Sequence, residues 1–188
     1  TGPWARARRG VRTRDLTRRL ERRHKGKVVV QINQFCNTAA SNASCTRPHA
    51  LGNIQKMIDD YEITHGMVQG RDYEMVAVLH GGGGWQMLKD EGVDGHGNPV
   101  TGRNQFEQQV RDRLGAGVRF YFCQNTTRAF IASSILREAD ETTGGATAEL
   151  INRVECTTAG ITALADFQSR GHLRAALTHA TQQREPRE

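Results

Sequence analysis

The chain has 188 residues, of which 37% are hydrophobic and 24% are charged, and these proportions are typical of a soluble globular protein. This length is enough for one well-buried core and leaves little for a second domain. No apolar stretch approaches the roughly 18 residues of a membrane span, so we expect no transmembrane segment.

The formal charge of +6 is concentrated near the amino terminus. Residues 1–26 carry ten lysines and arginines against two acidic residues, a charge of +8, whereas the remaining residues carry sixteen basic and eighteen acidic groups, a charge of −2. We therefore predict a basic arm at 1–26, an α/β domain at 27–178 and a polar tail at 179–188. A basic block can bind nucleic acid or an anionic surface. The favoured interpretation is that the arm packs on a neighbouring subunit or stays mobile.

Strand and helix patterns alternate along the chain. Strands are predicted at 27–32, 74–79, 118–122 and 153–157, and residues 172–177 are predicted as a last edge strand or further helix. Helices are predicted at 50–61, 105–114, from Cys123 to 132, and at 161–170. Residues 33–49 are a long polar loop, and 92–102 and 140–145 are glycine-rich insertions. This alternation predicts an α/β domain with a mostly parallel sheet of about five strands and helices on both faces.

Cys123 stands where the third predicted strand ends and a helix begins. Open α/β sheets place their ligand sites at the carboxyl ends of strands, and a helix N-terminus favours an anion. We therefore predict that the Cys123 thiol has a lowered pKa and reacts as a thiolate. The backbone N–H groups of Gln124, Asn125 and Thr126 are predicted to stabilise that anion.

Other polar groups follow the remaining predicted strands. Cys36, Cys45 and His49 come after the first strand, His80 after the second, and Cys156 lies at the end of the fourth. If the strands are parallel, these groups gather at one edge of the sheet, where His80 is a candidate acid/base or hydrogen-bond donor. Cys36 and Cys45 could form a disulfide in an oxidising compartment or act as relay thiols, and the sequence does not choose. Cys156 is predicted to be a small core residue.

Four consecutive glycines, Gly81 to Gly84, follow the second predicted strand. They lack the lysine and hydroxyl residue of a P-loop and the spacing of a dinucleotide-binding fingerprint. We predict that they let the backbone turn tightly and keep the space beside Cys123 open, with Gly81 and Gly82 at the site.

Several segments, taken in order, resemble the DsrE/DsrF-like proteins of intracellular sulfur oxidation and sulfur relay. They are Lys27-Val-Val-Val-Gln-Ile32, Ala50-Leu-Gly-Asn-Ile54, Val76-Ala-Val-Leu-His-Gly81, Gly117-Val-Arg-Phe-Tyr-Phe-Cys-Gln-Asn-Thr126 and Ala159-Gly-Ile-Thr-Ala-Leu164 with Gln168 and Gly171. The resemblance implies a three-layer α/β/α sandwich, assembly into homotrimers or hexamers, and transfer of sulfane sulfur as a persulfide on Cys123. The loop at 33–49, the insertion at 92–102 and the basic arm depart from the family pattern.

Three functional hypotheses follow. The favoured one is a sulfur carrier or sulfurtransferase that uses Cys123, assisted by His80, and that works with sulfur donor and acceptor proteins, without a cofactor or resident metal. The second is a non-catalytic binding or assembly subunit. The third is a metal or cofactor site on the thiol-lined edge, using Cys36, Cys45, His49 or His80. A cytoplasmic location is favoured, and a periplasmic one follows if a leader was removed before Thr1.

Overall fold

The computed structural model describes residues 25–37, 42–138 and 145–176. The predicted basic arm up to residue 24, the predicted tail at 179–188 and most of the predicted insertion at 140–145 lie outside the described residues.

Seven strands form two sheets within the described residues. In chain order they are β1 (Gly26–Ile32), β2 (Tyr73–Leu79), β3 (Gly92–Val93), β4 (Pro99–Val100), β5 (Arg119–Cys123), β6 (Glu155–Thr157) and β7 (Leu173–Ala176). Five of them make the central sheet in the order β6–β5–β2–β1–β7, and every pair in it is parallel. The short strands β3 and β4 pair as an antiparallel hairpin within the predicted insertion at 92–102.

Helices cover both faces of the central sheet. In chain order they are α1 (Leu51–Asp59), α2 (Glu107–Gly115), α3 (Gln124–Ala132), α4 (Gly145–Ala148) and α5 (Gly160–Ser169), with a π-helical turn at Asp60–Thr64 and 3-10 helices at Asn42–Ser44 and Gly81–Met87. Buried side chains of α1, α2 and α3 join the larger core on one face, whereas those of α5 join a smaller core on the other. The fold is therefore the three-layer α/β/α sandwich that the sequence predicts.

Side chains of the central strands alternate between these two cores. In β2, Met75 and Ala77 belong to the larger core, and Val76 and Val78 belong to the smaller core beneath α5. Because both faces are covered, the central strands are apolar almost throughout, as expected for a parallel sheet. By the same alternation in β5, Phe120 packs in the larger core, and Cys123 lies on the opposite face of the sheet, the face that α5 covers.

Two local features differ from or refine the sequence predictions. Residues 172–177, left open between strand and helix, contain the edge strand β7. The glycine run forms a 3-10 helix in which Gly81 and Gly82 are exposed and Gly83 and Gly84 are buried. A Cβ on Gly83 would lie 2.3 Å from the carbonyl oxygen of Ile32, so close packing rather than open space requires glycine there.

In the described part of the chain, no helix is both long enough and apolar enough to cross a bilayer.

Candidate active site at Cys123

Cys123 lies between the amino-terminal ends of two helices. It is the last residue of β5, and α3 begins at the next residue. Its Sγ atom accepts a hydrogen bond of 3.1 Å from the backbone N–H of Gly160, the first residue of α5. Both helix dipoles therefore favour negative charge at this sulfur. The residue is only 4% exposed, so this charge would be held in a buried, polar setting.

The surroundings of the thiol lower its pKa. Burial alone raises the pKa of Cys123, but the backbone N–H groups of Thr126, Gly160 and Asn125 and the Thr126 hydroxyl outweigh that effect. The Thr126 hydroxyl oxygen accepts the N–H of Gly81 at 2.9 Å, which leaves its own hydrogen available to the sulfur. The lowered pKa agrees with the prediction, and two of its donors, Asn125 and Thr126, are among those the sequence indicated.

His80 is placed beside Cys123 by the register of β2 and β5. Leu79 pairs with Phe122, so the next residue of each chain segment, His80 and Cys123, lie at the same edge of the sheet. A Cβ built on Gly160 would lie 3.1 Å from the Cβ of His80 and 3.4 Å from that of Cys123. The side chains of His80 and Cys123 therefore lie on either side of Gly160, and a larger residue at position 160 would crowd both of them.

Two further residues, Gln31 and Arg174, determine the tautomer and the charge of the His80 ring. Arg174 donates a hydrogen bond to Oε1 of Gln31, which turns the Gln31 amide nitrogen toward His80 Nε2 at 2.6 Å. An amide nitrogen only donates, so His80 Nε2 accepts and the neutral ring carries its hydrogen on Nδ1. Burial, and then the charge of Arg174, lower the pKa of His80. The ring is thus held neutral as an Nδ1–H donor.

The other predicted binding residues are exposed. Gly81 and Gly82 begin the 3-10 helix that follows β2, and Gln124 and Asn125 begin α3 directly after Cys123. Gln124 is not among the donors that lower the pKa of Cys123.

The remaining cysteines differ from Cys123 in bonding or in exposure. Cys36 and Cys45 are both buried and are joined by a disulfide, with their Cα atoms 5.7 Å apart. Cys156 is exposed, so the prediction that it is a core residue is wrong. It lies on β6, a three-residue strand at the edge of the sheet with β5 as its single neighbour, and it belongs to neither buried core.

The ligands suggested for a metal site are engaged in other contacts. Cys36 and Cys45 are bonded to each other, and His49 is buried with its Nδ1 atom 3.1 Å from Oδ1 of Asn37. Within residues 25–37, 42–138 and 145–176, no three His, Cys, Asp or Glu side chains are grouped so as to hold a metal ion.

Sequence reasoning missed three residues of the site: Gln31, Gly160 and Arg174. Gln31 gave a signal, since it is a polar residue near the end of an otherwise apolar strand. Gly160 gave a weaker signal as a glycine at the start of a predicted helix. Arg174 gave none, because its contact depends on β7 lying beside β1.

Comparisons with known proteins support the fold. No protein-family model matches the chain. No curated protein matches it. Among solved structures, the chain is similar to a protein of unknown function, MTH1491 from Methanobacterium thermoautotrophicum, with a TM-score of 0.50 and 16% sequence identity over 80% of this chain and 98% of that one. At this identity the likeness shows the α/β fold alone.

Proposed function

We propose that this protein is a DsrE/DsrF-like sulfur carrier that holds sulfane sulfur as a persulfide on Cys123. The observation that carries the proposal is the arrangement of donors around the Cys123 sulfur, with the Gly160 N–H at 3.1 Å and a net lowering of the thiol pKa. The sequence resemblance supports the same conclusion, because Cys123 occupies the sulfur-carrying position of that family's strand-end motif.

The proposed transfer needs two exchange steps and no net oxidation. The Cys123 thiolate attacks the outer sulfur of a donor persulfide, the donor's S–S bond breaks, and the donor leaves as a thiolate that takes up a proton. An acceptor thiolate then attacks the outer sulfur on Cys123, and Cys123 leaves as a thiolate. A low pKa favours Cys123 in both steps, since it supplies the nucleophile first and the leaving group afterwards.

His80 is suited to donate a hydrogen bond during these steps. Its Nε2 atom is occupied by Gln31 at 2.6 Å, so its free donor is Nδ1–H. A neutral imidazole at this edge can donate a hydrogen bond to a departing thiolate without adding a permanent charge beside Cys123. We therefore assign His80 the role of a hydrogen-bond donor, with Gln31 and Arg174 as positioning residues.

Mass spectrometry after incubation with inorganic polysulfide tests the assignment. The native protein is expected to gain sulfur in steps of about 32 Da on Cys123, as persulfidation adds single sulfur atoms. Cys156→Ser is the matched control, because it removes the other free thiol and leaves the donors around Cys123 in place. If Cys123→Ser gains sulfur to the same extent as the native chain, Cys123 is not the carrier.

A second candidate is a non-catalytic binding or assembly subunit with the same fold. The 4% exposure of Cys123 favours it, since a protein-bound persulfide needs a path to this sulfur. A Cys123→Ala variant separates the two functions. It should abolish sulfur loading in the carrier, whereas a purely structural subunit should assemble with its partners as the native chain does.

We also propose a homo-oligomer, a trimer or hexamer, on the strength of the family resemblance. Light scattering of the full chain measures this directly, and a monomer would contradict it.

The Cys36–Cys45 disulfide bears on the compartment of the protein. The sequence led us to propose the cytoplasm, whereas the disulfide favours an oxidising environment such as the periplasm. Labelling free thiols in intact cells before lysis distinguishes these locations.

A further inference from the structure

A separate concave site lies under α5, toward the amino ends of the central strands. It is a cavity of about 410 Å³, and its lining includes Lys27, Glu74 and Tyr121 from the sheet and Phe167, Arg170 and His172 from the end of α5 and the turn that follows. Neither Cys123 nor His80 lines it. The volume lies within the range of small-molecule sites.

His172, one of the lining residues, has an unsatisfied acceptor. The side chain is 4% exposed, its Nδ1 atom lies 2.9 Å from the carbonyl oxygen of Phe167, and its ring packs edge-on against the Phe167 ring at 5.0 Å. A carbonyl oxygen only accepts, so Nδ1 carries the hydrogen of the neutral ring. Nε2 then holds a lone pair, and it has no hydrogen-bond partner among the described residues.

A carboxylate faces that lone pair. Oε1 of Glu74 lies 3.9 Å from His172 Nε2, beyond hydrogen-bond distance. Burial lowers the pKa of His172, which keeps the ring neutral and the lone pair bare. Two acceptors facing each other without a donor are unfavourable, and a ligand with hydroxyl hydrogens would satisfy both.

The charges near Glu74 determine which kind of hydrogen-bond donor a ligand can bring to this cavity. Lys25 and Arg119 already lie 3.8 Å from the carboxylate oxygens of Glu74, so a cationic ligand would meet two positive groups there. Hydroxyl groups supply the hydrogens without added positive charge.

Further positive charge lines the cavity. Lys27 donates to the backbone carbonyl of Arg170 at 3.1 Å, and in the described part of the chain the Arg170 guanidinium has no ion-pair partner. Asp166 opposes them as a lining carboxylate. Tyr121 and Phe167, with ring centroids 5.1 Å apart, supply an apolar wall.

We propose that this cavity binds a small anion that carries neighbouring hydroxyl groups. One hydroxyl donates to His172 Nε2, a second donates to Glu74, and the anionic group lies toward Lys27 and Arg170. Hydroxycarboxylates and polyol phosphates share this chemistry.

Calorimetric titration of the full chain with four probes tests the site. Glycerate represents the hydroxycarboxylates and glycerol 3-phosphate the polyol phosphates, and propionate and propyl phosphate are their counterparts without hydroxyl groups. We expect glycerate or glycerol 3-phosphate to bind at least about tenfold more tightly than its counterpart, the factor that one buried hydrogen bond supplies. The better of the two identifies the anionic group.

Two variants connect that binding to His172. His172→Phe keeps the ring that packs on Phe167 but removes the lone pair, so it should weaken binding of the better probe at least about tenfold. His96→Phe is the matched control, because His96 is exposed between β3 and β4 and lies outside the cavity. Arg170→Met is the second variant and should also weaken binding, because it removes a positive charge that faces the anionic group, even if His172→Phe does not fold.

A nitrogen chemical shift gives a readout that needs no substitution. The His172 Nε2 resonance should move toward the hydrogen-bonded position when the better probe is added. The proposal is overturned if none of the four probes binds below about 10 mM. It is equally overturned if binding occurs but neither the His172 shift nor the affinity of the variants changes.

Discussion

Sγ of Cys123 accepts a hydrogen bond of 3.1 Å from the backbone N–H of Gly160, a residue 37 positions further along the chain. The bond connects the end of β5 to the start of α5, the helix that covers the smaller core. The charge state of the sulfur therefore depends on the docking of α5 as well as on the turn into α3. Removing a local donor should change the acidity of the thiol without undocking that helix.

Replacing Thr126 with valine should raise the pKa of Cys123. The hydroxyl of Thr126 and its backbone N–H both favour the thiolate, and valine keeps the N–H but loses the hydroxyl. We expect a partial rise, because the thiolate loses one donor while the larger contributions of the backbone N–H groups remain. Iodoacetamide alkylation measured against pH in a Cys156→Ser background reports it as slower reaction at pH values below the pKa.

Thr127→Val is the matched control for that substitution. Its hydroxyl donates to the backbone carbonyl of Cys123 at 3.3 Å rather than to the sulfur. The alkylation profile of this variant should coincide with that of the native thiol. Equal shifts in the two variants would show that general disturbance of α3, not the Thr126 hydroxyl, controls the acidity.

The sequence predicted the central strands closely because their physical cause is local. Strand β2 was predicted at 74–79 and spans Tyr73–Leu79, and β5 was predicted at 118–122 and spans Arg119–Cys123. Strands covered on both faces must be apolar at nearly every position, and that pattern is visible in any sequence window. The position of Cys123 at a strand-to-helix junction followed from the same pattern.

The contacts between distant segments could not be predicted in this way. Arg174 reaches Gln31 because β7 lies beside β1, and strand order is not encoded in hydrophobic periodicity. The exposure of Cys156 has the same origin, since an edge strand and a central strand of three residues look alike in sequence. Both errors of prediction therefore concern neighbours in space rather than the type of element.

Replacing Arg174 with methionine should raise the pKa of His80 toward its usual value. Burial is the larger cause of the lowered pKa and stays, but the nearby positive charge disappears. A buried neutral histidine contributes stability above its unfolded pKa of about 6.5, and this stability is lost as the pH falls toward the folded pKa. When the pH falls from neutral to the folded pKa of His80, the variant should therefore lose less free energy of unfolding than the native protein does. A histidine NMR titration measures the shift.

His172 is an internal control in the same spectrum. Lys27 and Arg170, not Arg174, are the cations that lower the pKa of His172, although burial is again the first cause. Its titration should be unchanged in Arg174→Met. If both histidines shift together, the substitution has loosened the packing of β7 on β1 and the specific effect on His80 is refuted.

Removing the Cys36–Cys45 disulfide should destabilise the fold. Replacing both cysteines with serine opens the loop that the disulfide closes between two positions nine residues apart. This should lower the free energy of unfolding by about 2–3 kcal/mol, as expected for a short closed loop. Urea unfolding of the double variant measures this, with Cys156→Ser as a control that should stay within about 0.5 kcal/mol. An unchanged midpoint in the double variant would mean that the 33–49 loop does not depend on the bond.

The ion pair between Arg103 and Glu149 should be essential to the position of the β3–β4 hairpin. Both side chains are buried, at 7% and 8% exposure, and Arg103 also donates to the carbonyl oxygens of Lys89 and Val93. Glu149→Gln leaves the guanidinium charge buried without a counter-charge and should lower the free energy of unfolding by about 3–5 kcal/mol.

The surface pair between Arg119 and Glu155 is the matched control for this loss. Both of its side chains are 48% exposed, so Glu155→Gln should cost less than about 1 kcal/mol. The two variants remove the same charge from an ion pair and differ mainly in burial. Equal shifts in their urea midpoints would therefore show that the Arg103 guanidinium reaches water, and that the hairpin is held by its backbone contacts instead.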